Sequence, residues 1–149
     1  MKTPQNTIEQ TIVSTRVFNT PIEKVFRAFT EPEHLKAWWG PKGFTNTFHE
    51  FDLRLGGTWK FTMHGPDKGN YENEVVFTKI EKPNFISWDR VSKPLFQINV
   101  TFEELTNTAT KVIFKMIFTE SREYETIKKF APEKNEENFD RLEKVLKEM

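Results

Sequence analysis

The chain has 149 residues and a mass of 17.7 kDa, carries 22 basic against 22 acidic side chains, and contains no cysteine. That length suits one domain burying about 68–70% of its unfolded surface. The missing cysteines exclude disulfides, thiol nucleophiles and zinc–thiolate sites, and the balanced charge offers no electrostatic footprint for nucleic acid. Residues 1–10 read as a short N-terminal leader ahead of a single domain over 11–149. They lack the apolar stretch of a secretion signal. No apolar run is long enough for membrane insertion, so a cytoplasmic location is expected.

Thr11 to Phe18 alternates and is β-branched, predicting a first strand. Thr20-Pro21 then reads as a helix start, with Thr20 as N-cap, and Val25, Phe26 and Phe29 mark the apolar face. Thr30-Glu31-Pro32-Glu33 repeats that signal for a second short helix, which ends at Gly40-Pro41. Six segments of strand length follow: 46–53, 58–64, 72–80, 85–89, 96–103 and 111–119. Phe96, Ile98, Val100 and Phe102 alternate with polar residues, as do Val112, Phe114, Met116 and Phe118, the mark of half-buried antiparallel strands. From Ser121 the period becomes helical. Pro132 either starts a new helix or kinks the existing one, and Phe139, Leu142, Val145, Leu146 and Met149 then form one stripe. The sum is an α+β fold: a seven-stranded antiparallel sheet, two short helices after strand 1, and a long C-terminal helix across the sheet.

All six glycines and three of the four tryptophans fall between Trp38 and Tyr71. Tight turns there aim large flat side chains. Gly56-Gly57 separates two alternating runs and predicts a hairpin turn, with positive φ expected at Gly57. The 14% aromatic content supplies either a Phe-rich core or the stiff wall of a cavity.

The order WWGP, DLRLGGTWKF, HGPD, together with TPIEKVF, EPEHLKAWWGP and NEENFDRLE, resembles a known domain. It is the domain of activators of the heat-shock protein 90 ATPase and their small single-domain relatives. These belong to the START-like (SRPBCC) superfamily of helix-grip folds, and the resemblance runs from about Thr11 to Met149. It implies a mostly apolar internal cavity between the sheet and the C-terminal helix. Members of the superfamily bind lipids, sterols, polyketides or plant hormones there, and a few catalyse cyclisation or hydrolysis. The heat-shock activators work through a surface instead, and their eukaryotic forms carry a preceding chaperone-binding domain not seen in this sequence.

The candidate ligand-binding residues are Trp38, Trp39, His49, Phe51, Trp59, Phe61, Met63, Trp88, Phe114 and Phe139. Trp38 and Trp39 are neighbours at a helix end and point about 100° apart, so one can enter the core while the other reaches a pocket mouth. Trp59, Phe61 and Met63 share one face of a strand. His49 shares parity with Phe51 and Leu53, which makes it the candidate polar handle near neutral pH; Phe48 on the other parity leaves its face open. The three histidines lie fifteen residues apart without a metal-binding pair, and no serine sits in a nucleophile motif. The reading is a non-catalytic binder of a small apolar or amphipathic molecule, without cofactor or metal. One rival is a cyclase or hydrolase using His49 with Glu50 or Asp52. Another is a co-chaperone module working through its surface. Contact with a chaperone and formation of a homodimer are both compatible with the sequence.

Overall fold

The computed structural model describes residues 10–149. The leader read over residues 1–10 lies outside them except for Gln10, whose carbonyl accepts the Phe118 N–H at 3.0 Å. The elements are β1 (Thr11–Phe18), α1 (Ile22–Thr30), α2 (Pro32–Trp38), β2 (Thr45–Phe51), β3 (Thr58–His64), β4 (Asn70–Glu81), β5 (Phe85–Arg90), β6 (Phe96–Thr106), β7 (Ala109–Phe118), α3 (Ser121–Ile127) and α4 (Ala131–Glu148). One antiparallel sheet runs in the order β1-β7-β6-β5-β4-β3-β2. Strands β2 to β7 form a meander, and β1 closes onto β7 with Ser14 opposite Phe114.

The alternation seen in the sequence is the two-sidedness of this sheet. On β7 the buried residues are Thr110, Val112, Phe114, Met116 and Phe118, with half-exposed residues between them. One inner-face row crosses the sheet as Met116, Ile98, Trp88 and Phe77. Helices cover that face: α4 packs on β1, α1 and α2, and α1 packs on β6 and β7. Phe139, Leu142 and Leu146 of α4 are buried against it, and Phe139 meets Phe18 and Phe114 edge-to-face. At about 25 cal/mol per Å² of apolar area removed from water, each such side chain stabilises the fold by roughly 1.5–3 kcal/mol.

The helix starts differ from the sequence reading by one residue each. The N-caps are Pro21 and Glu31, and neither caps with its side chain. Thr20 instead offers its carbonyl to the buried Thr110 hydroxyl at 2.7 Å. Thr30 belongs to α1, and its hydroxyl donates back to the Phe26 carbonyl at 2.8 Å. The Thr30 hydroxyl is thus spent within α1, while Thr20 ties the helix start to β7 through its backbone carbonyl. Of the two readings of Pro132, a new helix is the one realised, since the chain turns at 128–130 before α4 begins.

In the β2–β3 turn, positive φ falls on Gly56 (+80°) and not on Gly57. Gly57 is required for a different reason: a Cβ there would stand 2.0 Å from the Asp52 carbonyl oxygen. The close approach follows from the loop's own bonds, Gly57 N–H to the Arg54 carbonyl at 2.8 Å and Arg54 N–H to the Asp52 carbonyl at 2.9 Å. Among the described residues, no helix is long and apolar enough to cross a membrane.

Candidate functional site

The site begins with the adjacent tryptophans at the end of α2. Trp38 turns into the core, and its indole N–H donates to the Ala28 carbonyl at 2.9 Å. Trp39, one residue later, has left the helix with extended backbone. Its ring lies edge-on to Trp38 at 5.6 Å and also to Trp59 and Trp88, with ring centroids at 5.5 and 5.8 Å. Gly40 follows at φ +101°, where a Cβ would come within 2.9 Å of Met63 and 3.1 Å of Phe44. Only glycine lets the chain turn this closely over β3. Arg141 of α4 holds the turn from above, donating to the carbonyls of Gly40 at 2.7 Å and Pro41 at 3.0 Å.

Beyond Trp39 lies a cleft of about 390 Å³, open to solvent. That volume is at the small end of ligand pockets. The inner face of the sheet provides the floor, with Phe61 and Met63 from β3, Val75 from β4, Trp88 from β5, Ile98 from β6, and Phe114 and Met116 from β7. The Trp39–Phe44 turn forms one wall, and the α3–α4 junction with Ile127, Phe130 and Ala131 forms the other. Tyr71 and Phe130 are nearly half exposed and mark the rim.

Five of the ten candidate residues meet at this cleft: Trp39, Phe61, Met63, Trp88 and Phe114. The other five do not line it. Trp38 packs against Phe29 with ring centroids at 4.7 Å. Trp59 is wholly buried beneath Trp39 and stacked on Phe61 at 4.2 Å. Phe51 packs edge-on to Trp59 and Phe77. Phe139 belongs to the core under the middle of α4; the cleft is bordered by the first turns of that helix instead, at Lys134, Asn135 and Asn138.

His49 is the clearest correction. It is exposed, and its Nε2 lies 2.8 Å from the Thr62 hydroxyl. A β-bulge between Phe48 and Glu50 breaks the strict alternation of β2. Phe48 and Phe51 therefore both face the aromatic cluster, stacked with centroids at 5.9 Å, while His49 turns out beside Thr62. A bulge places two residues opposite one, which shifts parity along the rest of the strand. Leu53 lies past the end of β2 and is also exposed. His64 bonds Thr47 and Asn70 at 2.8 and 2.7 Å, away from the cleft lining.

Sequence reasoning missed the polar members of the site. Arg90 and Asn73 line the cleft together, and Arg90 Nη1 donates to Asn73 Oδ1. Arg90 Nη2 donates to the Lys93 carbonyl at 3.1 Å, and its guanidinium lies over the Phe96 ring at 5.6 Å. The signal was present as spacing. Ile86, Trp88 and Arg90 alternate along β5, and Asn73, Val75 and Phe77 alternate along β4. The strand expected to end at Asp89 extends one residue further, to the arginine.

Glu31, Glu33 and His34 bring three ligand-type atoms within 4.8 Å of one another at the α1–α2 corner. Glu31 is already paired there with Arg27 and His34.

The sequence pattern of the activator of Hsp90 ATPase homolog 1-like protein family matches residues 19–147. No curated protein matches the chain. Among solved structures, a protein from Arthrobacter aurescens is similar over 94% of this chain and 87% of its own, at 22% identity and a TM-score of 0.86. One from Nitrosomonas europaea is similar over 93% and 94%, at 22% identity and 0.85. A Staphylococcus epidermidis protein is similar over 93% and 90%, at 25% identity and 0.80.

Proposed function

We propose, from the premise that this chain belongs to the activator of Hsp90 ATPase homolog 1-like family, that it is a cytoplasmic binding protein. It takes a small apolar or amphipathic molecule into the cleft and leaves it chemically unchanged. The observation that carries this reading is the make-up of the lining. Aromatic and aliphatic side chains from β3, β4, β5, β6, β7 and both flanking turns converge on one space. Such walls bind by burying apolar surface, and a few polar groups set orientation. Among the described residues, the lining holds no histidine, aspartate or glutamate, the side chains best matched to moving a proton near neutrality. His49, on which the enzyme reading depended, faces away.

The test uses Nile red, a neutral apolar dye, with the intact chain. Saturable dye emission, quenching of Trp39 and Trp88, and a raised melting temperature are expected. At a hundredfold excess over Kd, ligand stabilises the folded state by about 2.7 kcal/mol. Replacing Trp39 by Phe should remove its share of the quenching and leave that of Trp88, because Trp38 and Trp59 lie outside the lining. If a broad apolar panel moves neither emission nor melting temperature, the binding reading fails. Stimulation of a chaperone ATPase that persists in a Trp39→Ala variant would favour the surface reading contained in the family's description.

A further inference from the structure

The charge in the cleft is one-sided. A chain with 22 basic and 22 acidic side chains lines this space with Arg90 and Lys134 and, among the described residues, with no carboxylate. Lys134 is half exposed at the rim and lies 3.9 Å from Glu137. Arg90 is the inner cation, and among the described residues no carboxylate pairs with it. Its Nη1 and Nη2 donate to neutral oxygens, of Asn73 and of the Lys93 carbonyl. Its Nε–H is buried and has no acceptor. Glu123 acts on Arg90 only through its field, and that carboxylate is occupied by the Leu95 N–H at 3.1 Å. Burial pushes the Arg90 guanidinium below the ordinary arginine value, with Glu123 opposing the shift.

A desolvated cation without a counter-charge is costly to hold, and a guanidinium that commits one hydrogen from each Nη keeps a second on each for a carboxylate. A second unmet group lies in the same lining: Asn138 Oδ1 is buried and accepts nothing.

We infer that the ligand of this cleft is an amphipathic carboxylic acid bound as its anion, with the head group on Arg90 and the apolar body among Trp39, Trp88 and Phe114. The inference rests on the binding reading above and narrows it to a chemical class. One inner cation balances one negative charge, so a singly charged head is the match.

The test compares dodecanoate, dodecanol and dodecylammonium as competitors of Nile red, on wild type, Arg90→Met and Arg90→Lys. Wild type should bind dodecanoate at least tenfold tighter than dodecanol, and dodecylammonium weakest. Arg90→Met should erase the preference for the acid, read as the ratio of dodecanoate to dodecanol affinity within that variant. Arg90→Lys should keep part of it. Equal competition by dodecanoate and dodecanol in wild type overturns this inference and leaves the binding reading standing. Failure of all three to compete, with no Nile red binding, removes both. A preference for the acid that survives intact in Arg90→Met assigns the charge elsewhere and also overturns the proposal. Should Arg90→Met not fold, as judged by circular dichroism, the wild-type comparison and Arg90→Lys decide.

Discussion

Arg141 on α4 places its Nη1 2.7 Å from the carbonyl oxygen of Gly40, a hundred and one residues earlier in the chain. The same guanidinium reaches the carbonyls of Ala37, Trp39 and Pro41. Ala37 lies in the last turn of α2 and Trp39 is its C-cap, whose carbonyls lack intrahelical partners, while Gly40 and Pro41 belong to the turn that follows. A cation at a helix C-terminus also suits the helix dipole. The C-terminal helix therefore fixes the wall of the cleft through a cap as well as through apolar packing. Burial pushes this guanidinium below the ordinary arginine value.

Replacing Arg141 by Met should cost about 1.5–3 kcal/mol, the worth of hydrogen bonds to a charged group, and should loosen Trp39. Arg141→Lys should recover only part of this, because one ammonium cannot reproduce the planar fork across several carbonyls. Urea denaturation followed by tryptophan emission measures both. A fully stable Arg141→Met would show that α2 needs no external cap.

The two glycines of the β2–β3 turn should respond differently to alanine. At Gly56 the space is open, so only its positive φ matters, at about 1–2 kcal/mol. At Gly57 the new Cβ meets backbone at 2.0 Å, so the loop must open and the cost should be larger. Paired chemical denaturation curves test the order, and equal losses would contradict the close approach.

Leu142 is fully buried in the middle of α4. Leu142→Ala should cost about 2–5 kcal/mol, whereas Lys144→Ala, on the exposed side of the same helix, should stay within about 0.5 kcal/mol. Similar midpoints for the two variants would mean that α4 is not docked through this face.

The rim of the cleft should be sensitive to pH at both extremes. The Gly69 N–H at 2.9 Å, and then the Tyr71 hydroxyl at 3.1 Å, hold the Asp67 carboxyl below its ordinary value. Its contribution to the fold is present above the unfolded pKa and is lost as pH falls through the depressed folded one. Asp67 in turn holds the Tyr71 phenol above its ordinary value. That contribution is present below the unfolded pKa and is lost as pH rises through the raised folded one. The contact is thus intact between an acidic and a strongly alkaline limit. Carbon-detected NMR titration of the Asp67 carboxyl should give a midpoint below that of a free aspartate. Asp67→Asn should abolish the acid step, and an unshifted midpoint would show that the turn is not held this way.

The seven strands and the long last helix were legible because their signal is local. Alternation along Phe96–Phe102 and Val112–Phe118 is dictated by a sheet with one dry face, and the Phe139–Leu142–Leu146 stripe by a helix lying on it. The turn at Gly40 was also legible, since its φ is one that other residues adopt only under strain. What the sequence could not supply was anything that depends on how distant segments meet. A one-residue bulge after Phe48 reversed the side on which His49 emerges, and no residue type at that position announces it. Thr20 and Thr30 read as caps, yet the first helix takes Pro21 as its N-cap and runs on through Thr30, whose hydroxyl bonds back within it. The strand read as 85–89 stopped one residue short of Arg90, so the arginine entered no reading of the site. The α3–α4 junction and the Trp39 turn border the same cleft as Arg90 and leave it an inner cation without a carboxylate partner. That relationship is a property of the folded chain, since it depends on where elements more than thirty residues apart in sequence come together.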